Sequence, residues 1–173
     1  MNKIILAASA AAAALVVAAC ATTPFDSAVA TARLEPTKGN ATTGTVTFAQ
    51  RMSKVFVTAE VSGLAPGEHG FHMHEKGDCS SGDGMSTGGH WNPDATPHGP
   101  QSGAHHAGDM PSLVADAGGN AKATFSLDGV TVAAGPKSVV GRGLIVHKDP
   151  DDYATQPTGN AGARVACAVI QAK

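Results

Sequence analysis

The chain has 173 residues, with 12 basic and 14 acidic side chains and a net charge of −2. That balance offers no basic surface for nucleic acid and no cationic face for an anionic membrane. With 42% hydrophobic residues there is enough apolar material for one cored domain, and past the N-terminal leader no apolar segment is long enough to span a bilayer.

Met1-Asn2-Lys3 is a short basic start, and residues 4–17 are apolar, Ala-rich and uncharged. The pattern is that of an export signal over residues 1–19, too short for a stable membrane span. It ends in LVVAAC (15–20), where small residues before a cysteine resemble the lipobox of bacterial lipoproteins; Cys20 is then the lipidated first residue. Ordinary cleavage after small residues would instead leave Cys20 a free thiol, a liability in an oxidising compartment. With Cys20 lipidated, Cys79 and Cys167 remain as an even set that export permits to pair, two separate buried thiols being the alternative. Residues 20–27 read as a tether and residues 28–173 as the domain.

Short β-like runs broken by turn residues follow. AVATARLE (28–35), TGTVTFAQ (43–50), KVFVTAEVSG (54–63) and GFHMHE (70–75) read as strands, with PTKGN and LAPGEHG as turns. SLVADAGGNAKATFSLDG (112–129) reads as a hairpin around Ala117-Gly118-Gly119-Asn120. VVGRGLIVHK (139–148) and GARVACAVIQ (162–171) complete a set of about eight strands, with no capped helix among them. Period-2 alternation and many Gly and Pro turns give an all-β class, an antiparallel sandwich or barrel. Two long segments, 76–111 and 149–161, refuse strand patterning; such loops are usually functional or disordered. The first holds four of the eight histidines, which argues for order imposed by a ligand.

Successive side chains on a strand point to opposite faces. His72 and His74 therefore share one face, about 6.5 to 7 Å apart, while Phe71 and Met73 turn into the core. His69 lies an odd number of positions from His72 and is expected to bond nearby backbone instead. An H-x-H pair alone is weak, since two exposed histidines are often only solvated. GGHWNP (His90), PHGP (His98), HHAGD (His105, His106, Asp109) and LIVH (His147) strengthen it. Imidazole suits zinc and copper, and a carboxylate added to three imidazoles suits zinc.

HGFHMHEKGDC, GGHWNP, HHAGDMPSL, GRGLIVH and GNAGARVACAVI together resemble the copper,zinc superoxide dismutases, in particular their exported bacterial branch, over residue 28 to the C-terminus. The resemblance implies an eight-stranded antiparallel Greek-key β-barrel or sandwich with two long functional loops, acting as an oxidoreductase on superoxide. It implies copper held by His72, His74, His90 and His147, and zinc held by His90, His98, His106 and Asp109, with His90 bridging the two. Asp151 matches the carboxylate that links a copper-ligand and a zinc-ligand histidine. Arg164 matches the arginine that attracts the anionic substrate, so Arg164 and His90 are the catalytic pair. Cys79 and Cys167 match the intrasubunit disulfide, and His105 has no counterpart and reads as a solvated loop residue. The expected setting is the periplasm or cell envelope, with the membrane reached only through the lipid on Cys20 and the protein a monomer or homodimer.

Two features depart from eukaryotic relatives. SSGDGMSTGG, between Cys79 and His90, is longer, and the last loop is short and without a lysine. Steering then rests on Arg164, with Lys76 either a second guide or a solvated lysine. Two other function classes compete. A non-catalytic metal carrier of the envelope would have lost Arg164 or a copper histidine, and neither is lost. A zinc hydrolase needs an open zinc site and a base; Glu75 is the one to offer, but alternation points it away from the face of His74.

Overall fold

A computed structural model describes residues 29–173. The leader over 1–19, Cys20 and the tether over 20–27 lie outside the described residues. Among the described residues ten strands run in chain order: β1 (Val29–Pro36), β2 (Thr43–Arg51), β3 (Lys54–Ser62), β4 (Gly67–His69), β5 (Phe71–His74), β6 (Leu113–Ala115), β7 (Ala121–Leu127), β8 (Gly143–His147), β9 (Arg164–Val169) and β10 (Gln171–Ala172). The one helical element among the described residues is a 3-10 turn at Met85–Thr87.

Alternation sorts the strands as expected. In β3, Val55, Val57, Ala59 and Val61 are buried while Lys54, Thr58, Glu60 and Ser62 face solvent. Eight strands form one curled antiparallel sheet with the order β5-β8-β9-β1-β2-β3-β7, and β10 pairs with β1. β1 serves three neighbours: Val29 to Leu34 pair with β2 along one edge, while on the other edge Ala30 and Thr31 pair with β10 and Glu35 and Pro36 with β9. This hinge in pairing lets the sheet curl around a single apolar core that includes Leu34, Phe48, Phe71, Met73, Leu113 and Leu144. Each such large side chain contributes about 1.5–3 kcal/mol by leaving water.

The hairpin over 112–129 is a correction. Its turn is where the sequence puts it: the Asp116 carboxylate accepts the N–H groups of Gly118 and Asn120, at 2.8 and 2.9 Å. Its arms, however, belong to different ladders. β7 pairs along its whole length with β3, and β6 pairs with β4 in a separate two-stranded sheet. The LAPGEHG segment, read as a turn, thus ends in a strand. The Leu64 N–H donates to the Gly119 carbonyl at 3.2 Å, which fixes the start of that segment on the β6–β7 turn.

Both long loops are irregular, residues 75–112 carrying only the 3-10 turn and residues 148–163 no strand or helix. A disulfide joins Cys79 in the first loop to Cys167 on β9, with Cα atoms 6.0 Å apart and a sequence separation of 88. By the chain-entropy model a closed loop of that length adds about 4–5 kcal/mol of stability.

Candidate metal centre

β5 is an end strand of the sheet, and its free backbone edge needs partners. β8 takes one side. The first long loop takes the other: Met73 N–H donates to Gly108 O at 2.8 Å, Trp91 N–H to Met73 O at 2.9 Å and Glu75 N–H to Gly89 O at 3.0 Å. This lays His90 opposite His74 and Asp109 opposite His72. Glycine is required at 108, because a Cβ there would overlap the Met73 carbonyl. Phe71 and Met73 sit fully buried in the core, and His72 and His74 are as fully buried on the other face, under the loops.

Two four-residue groups result, His72, His74, His90 and His147, and His90, His98, His106 and Asp109. Within each, the potential ligand atoms lie within 4.8 Å of one another. His90 belongs to both, its ring centroid 4.0 Å from that of His72 and 5.6 Å from that of His106. β5 supplies two of these side chains, the end of β8 supplies His147, and the first long loop supplies the remainder.

The nitrogens are divided in a telling way. One ring nitrogen of each histidine is buried with no hydrogen-bond partner: Nδ1 of His72, His98 and His106, and Nε2 of His74, His90 and His147. The other nitrogen is anchored in most. His74 Nδ1 lies 2.9 Å from Gly88 O, and His147 Nδ1 lies 3.1 Å from Gly162 O. Asp151 reaches two rings, with Oδ2 2.7 Å from His72 Nε2 and Oδ1 2.9 Å from His98 Nε2. Asp109 Oδ1 bonds His90 Nδ1 at 2.8 Å and lies 3.0 and 3.3 Å from Nδ1 of His98 and His106, close to both but not in hydrogen-bond geometry with either. A buried polar atom without a partner costs about 1–3 kcal/mol, so six of them converging in two clusters make a poor core but a good pair of cation sites. The donor set fits four imidazoles for copper and three imidazoles with a carboxylate for zinc.

Protonation agrees. Burial, opposed by the Gly88 carbonyl, lowers His74 from 6.5 to about 2. Burial, opposed by the Gly162 carbonyl, lowers His147 to about 4. Burial also lowers His72, well below its ordinary value, and His106. For Asp109, burial pushes upward but is outweighed by hydrogen bonds from His90 and from the N–H groups of His106 and Gly99, and its carboxyl falls to about 2. Near neutrality these groups are in the forms that bind metal.

Arg164, at the start of β9, is half-buried. Its Nη1 donates to Gly84 O at 2.7 Å and Thr87 Oγ1 at 2.8 Å, and its Nη2 to Gly88 O at 2.8 Å. It lines a cavity of about 280 Å³ shared with His74, Met85, His90, His147 and Asn160. Burial lowers its pKa, opposed by Asp83, but a guanidinium keeps its charge at any physiological pH.

The other sequence expectations are also located. His69 joins neither group: Nδ1 lies 2.9 Å from His147 O and Nε2 2.8 Å from Ala65 O, so it does bond nearby backbone. His105 lies outside both groups, its Nδ1 2.7 Å from Gly103 O. Lys76 and Glu75 are exposed and do not line the cavity. Sequence reasoning missed Tyr153 and Gln156. The Gln156 side chain clamps the backbone of His98, accepting its N–H at 2.8 Å and donating to its carbonyl at 2.9 Å. The Tyr153 ring lies parallel to the His98 ring, and its hydroxyl accepts from the Ser112 N–H at 2.8 Å. An aromatic and an amide in a loop leave no periodic signal, and His98 lies 58 residues from Gln156.

Residues 42–170 match the family model described as copper/zinc superoxide dismutase (SODC). The chain belongs to this family. It is 46% identical over 136 residues to "Superoxide dismutase [Cu-Zn] 2" of Brassica juncea, a match spanning 73% of this chain and 88% of the relative. The solved structure described as the clock protein EA4 superposes with a TM-score of 0.76 at 39% identity, covering 84% of this chain and 94% of that one. A copper,zinc superoxide dismutase is an oxidoreductase acting on superoxide with copper and zinc as cofactors, and the two histidine groups suit those metals.

Proposed function

We propose that His72, His74, His90 and His147 hold copper, that His90, His98, His106 and Asp109 hold zinc, and that His90 is the shared ligand. The observation that carries this reading is the set of six buried, unpartnered ring nitrogens, divided between two clusters that meet at His90. The chemistry supplied by bound copper is a one-electron cycle between Cu(II) and Cu(I), by which one superoxide is oxidised to oxygen and a second, with two protons, is reduced to hydrogen peroxide.

The residues of the chain do the rest. His90 lines the cavity, its Nε2 has no partner and its Nδ1 bonds the Asp109 carboxylate, so it can carry a proton at Nε2 while its ring stays fixed from the other side. Asp151 orients one ring of each group at once, so the two sites share a support as well as a ligand. Arg164 draws a small anion into the cavity, and its three bonds to residues 84–88 hold the guanidinium in place. The Cys79–Cys167 bridge ties the loop that bears those carbonyls to the strand that bears Arg164.

The chain is exported and anchored by a lipid on Cys20, in the periplasm or cell envelope. Support comes from LVVAAC and from the disulfide, which persists in oxidising compartments. The deciding experiment loads the full chain with zinc alone and with both metals, then follows superoxide consumption. Fast consumption only with copper present bears the reading out. Equal rates for both preparations would refute it.

A further inference from the structure

Four methionines fall within the described residues, and they divide sharply. Met73 and Met110 are fully buried in the core, while Met52 is 94% exposed and Met85 60% exposed. Met52 lies in the turn between β2 and β3 and does not line the cavity that holds the histidines. Met85 instead lines the same cavity as Arg164, His74, His90 and His147. Those three Nε2 atoms are buried and unpartnered.

The backbone at Met85 is held. Its N–H donates to Asp83 Oδ1 at 2.9 Å, and its carbonyl accepts from the Gly88 N–H at 3.1 Å. The thioether is thus displayed from a fixed, solvent-exposed point on the wall of a cavity that three imidazoles with unpartnered nitrogens also line. A thioether is a soft, neutral donor that selects Cu(I) among the biological metals. An incoming cation also meets the fixed charge of Arg164 in this cavity, so a ligand on the way in lowers a barrier that would otherwise be electrostatic.

We propose that Met85 is a transient docking ligand for Cu(I), capturing the ion at the cavity mouth and passing it to His74 and His147. The proposal rests on the assignment of copper to the four-histidine group. One thioether binds more weakly than several imidazoles together, so the ion moves inward and Met85 is left free in the loaded protein.

The test uses the zinc-loaded full chain, mixed without oxygen with Cu(I) buffered by bicinchoninate, and follows loss of the chelate's absorbance. Met85→Leu is expected to take up copper several-fold more slowly than the parent at the lowest free Cu(I), and Met52→Leu at the parent rate. Final copper content and the Cu(II) spectrum after reoxidation should match the parent in both. Equal rates for Met85→Leu and the parent overturn the proposal. So does a lowered copper content or an altered Cu(II) spectrum, because Met85 would then belong to the resident site or the fold. A second measurement labels the methionine methyl groups with carbon-13 in the zinc-loaded parent and adds substoichiometric Ag(I), a redox-inert stand-in for Cu(I). The Met85 methyl resonance should shift and the Met52 resonance stay fixed; a silent Met85 overturns the proposal. A parent that takes up no copper at all overturns the four-histidine assignment itself, and the docking role with it.

Discussion

Replacing Asp151 by Asn tests how far one carboxylate supports both metals. The side chain is fully buried, with Oδ2 2.7 Å from His72 Nε2 and Oδ1 2.9 Å from His98 Nε2. Asn keeps the shape but has one acceptor oxygen. One ring N–H then faces an NH₂ group, and neither Nε2 retains a carboxylate partner. A hydrogen bond to a charged group contributes about 1.5–3 kcal/mol. At about 1.4 kcal/mol per decade that is roughly 10–150-fold in a binding constant, in line with the 10–100-fold typical of losing a partner that orients a metal-bound histidine. The assay is chelator competition for zinc and for copper at one pH, with Asp152→Asn as control, since the exposed Asp152 side chain bonds only within its own loop, to Ala154 and Thr155. Both metals should leave Asp151→Asn more readily, by at least tenfold for one of them, and Asp152→Asn should match the parent. If Asp151→Asn held both metals within about twofold of the parent, about 0.4 kcal/mol, the supporting role assigned to this carboxylate would be wrong.

Three further outcomes follow from the same geometry. Arg164→Ala should keep both metals, lower the superoxide rate by about tenfold or more, and flatten its decline with ionic strength; a parent-like rate and salt slope would remove Arg164 as the anion guide. Gly159→Ala should weaken zinc retention and lower the melting temperature, because φ there is +64° and a Cβ would overlap both Asp151 Oδ1 and His98 Nε2; parent-like zinc affinity would contradict that packing. In metal-free protein, His74 and His147 are held neutral when folded, at about 2 and about 4, against 6.5 when unfolded. Between pH 6.5 and 4 the unfolded chain therefore binds more protons, and stability falls as pH falls. The urea midpoint should drop from pH 7 to pH 5; an unchanged midpoint would mean these rings titrate freely in the folded state.

The sequence carried the core of the site because strand alternation is a strict rule. In FHMH it separates two core side chains from two histidines of the metal group, and the structure buries Phe71 and Met73 in the core with His72 and His74 opposite. The same rule excluded His69. The adjacent pair His105 and His106 has no such rule, and only the resemblance separated them. LAPGEHG misled because Pro and Gly signal a turn, while the strand at its end is three residues long and is made by pairing with β6. Tyr153 and Gln156 were invisible because they act through contacts on His98, more than 50 residues earlier in the chain, and neither residue type implies a metal. The role of Met85 depends on its place on the cavity wall, which no spacing encodes.

The shared histidine is the centre of this account, and one measurement addresses it directly. The zinc group is loaded with Co(II) and the copper group with Cu(II), and the copper electron paramagnetic resonance signal is compared with that of the zinc-loaded protein. If one imidazole ring of His90 joins the ions, the two sets of unpaired electrons couple through it. The sharp Cu(II) signal seen with zinc should then vanish or broaden beyond recognition with cobalt, and return when cobalt is exchanged for zinc. A Cu(II) signal equally sharp beside cobalt and beside zinc, at full occupancy of both groups, would contradict the bridge at His90.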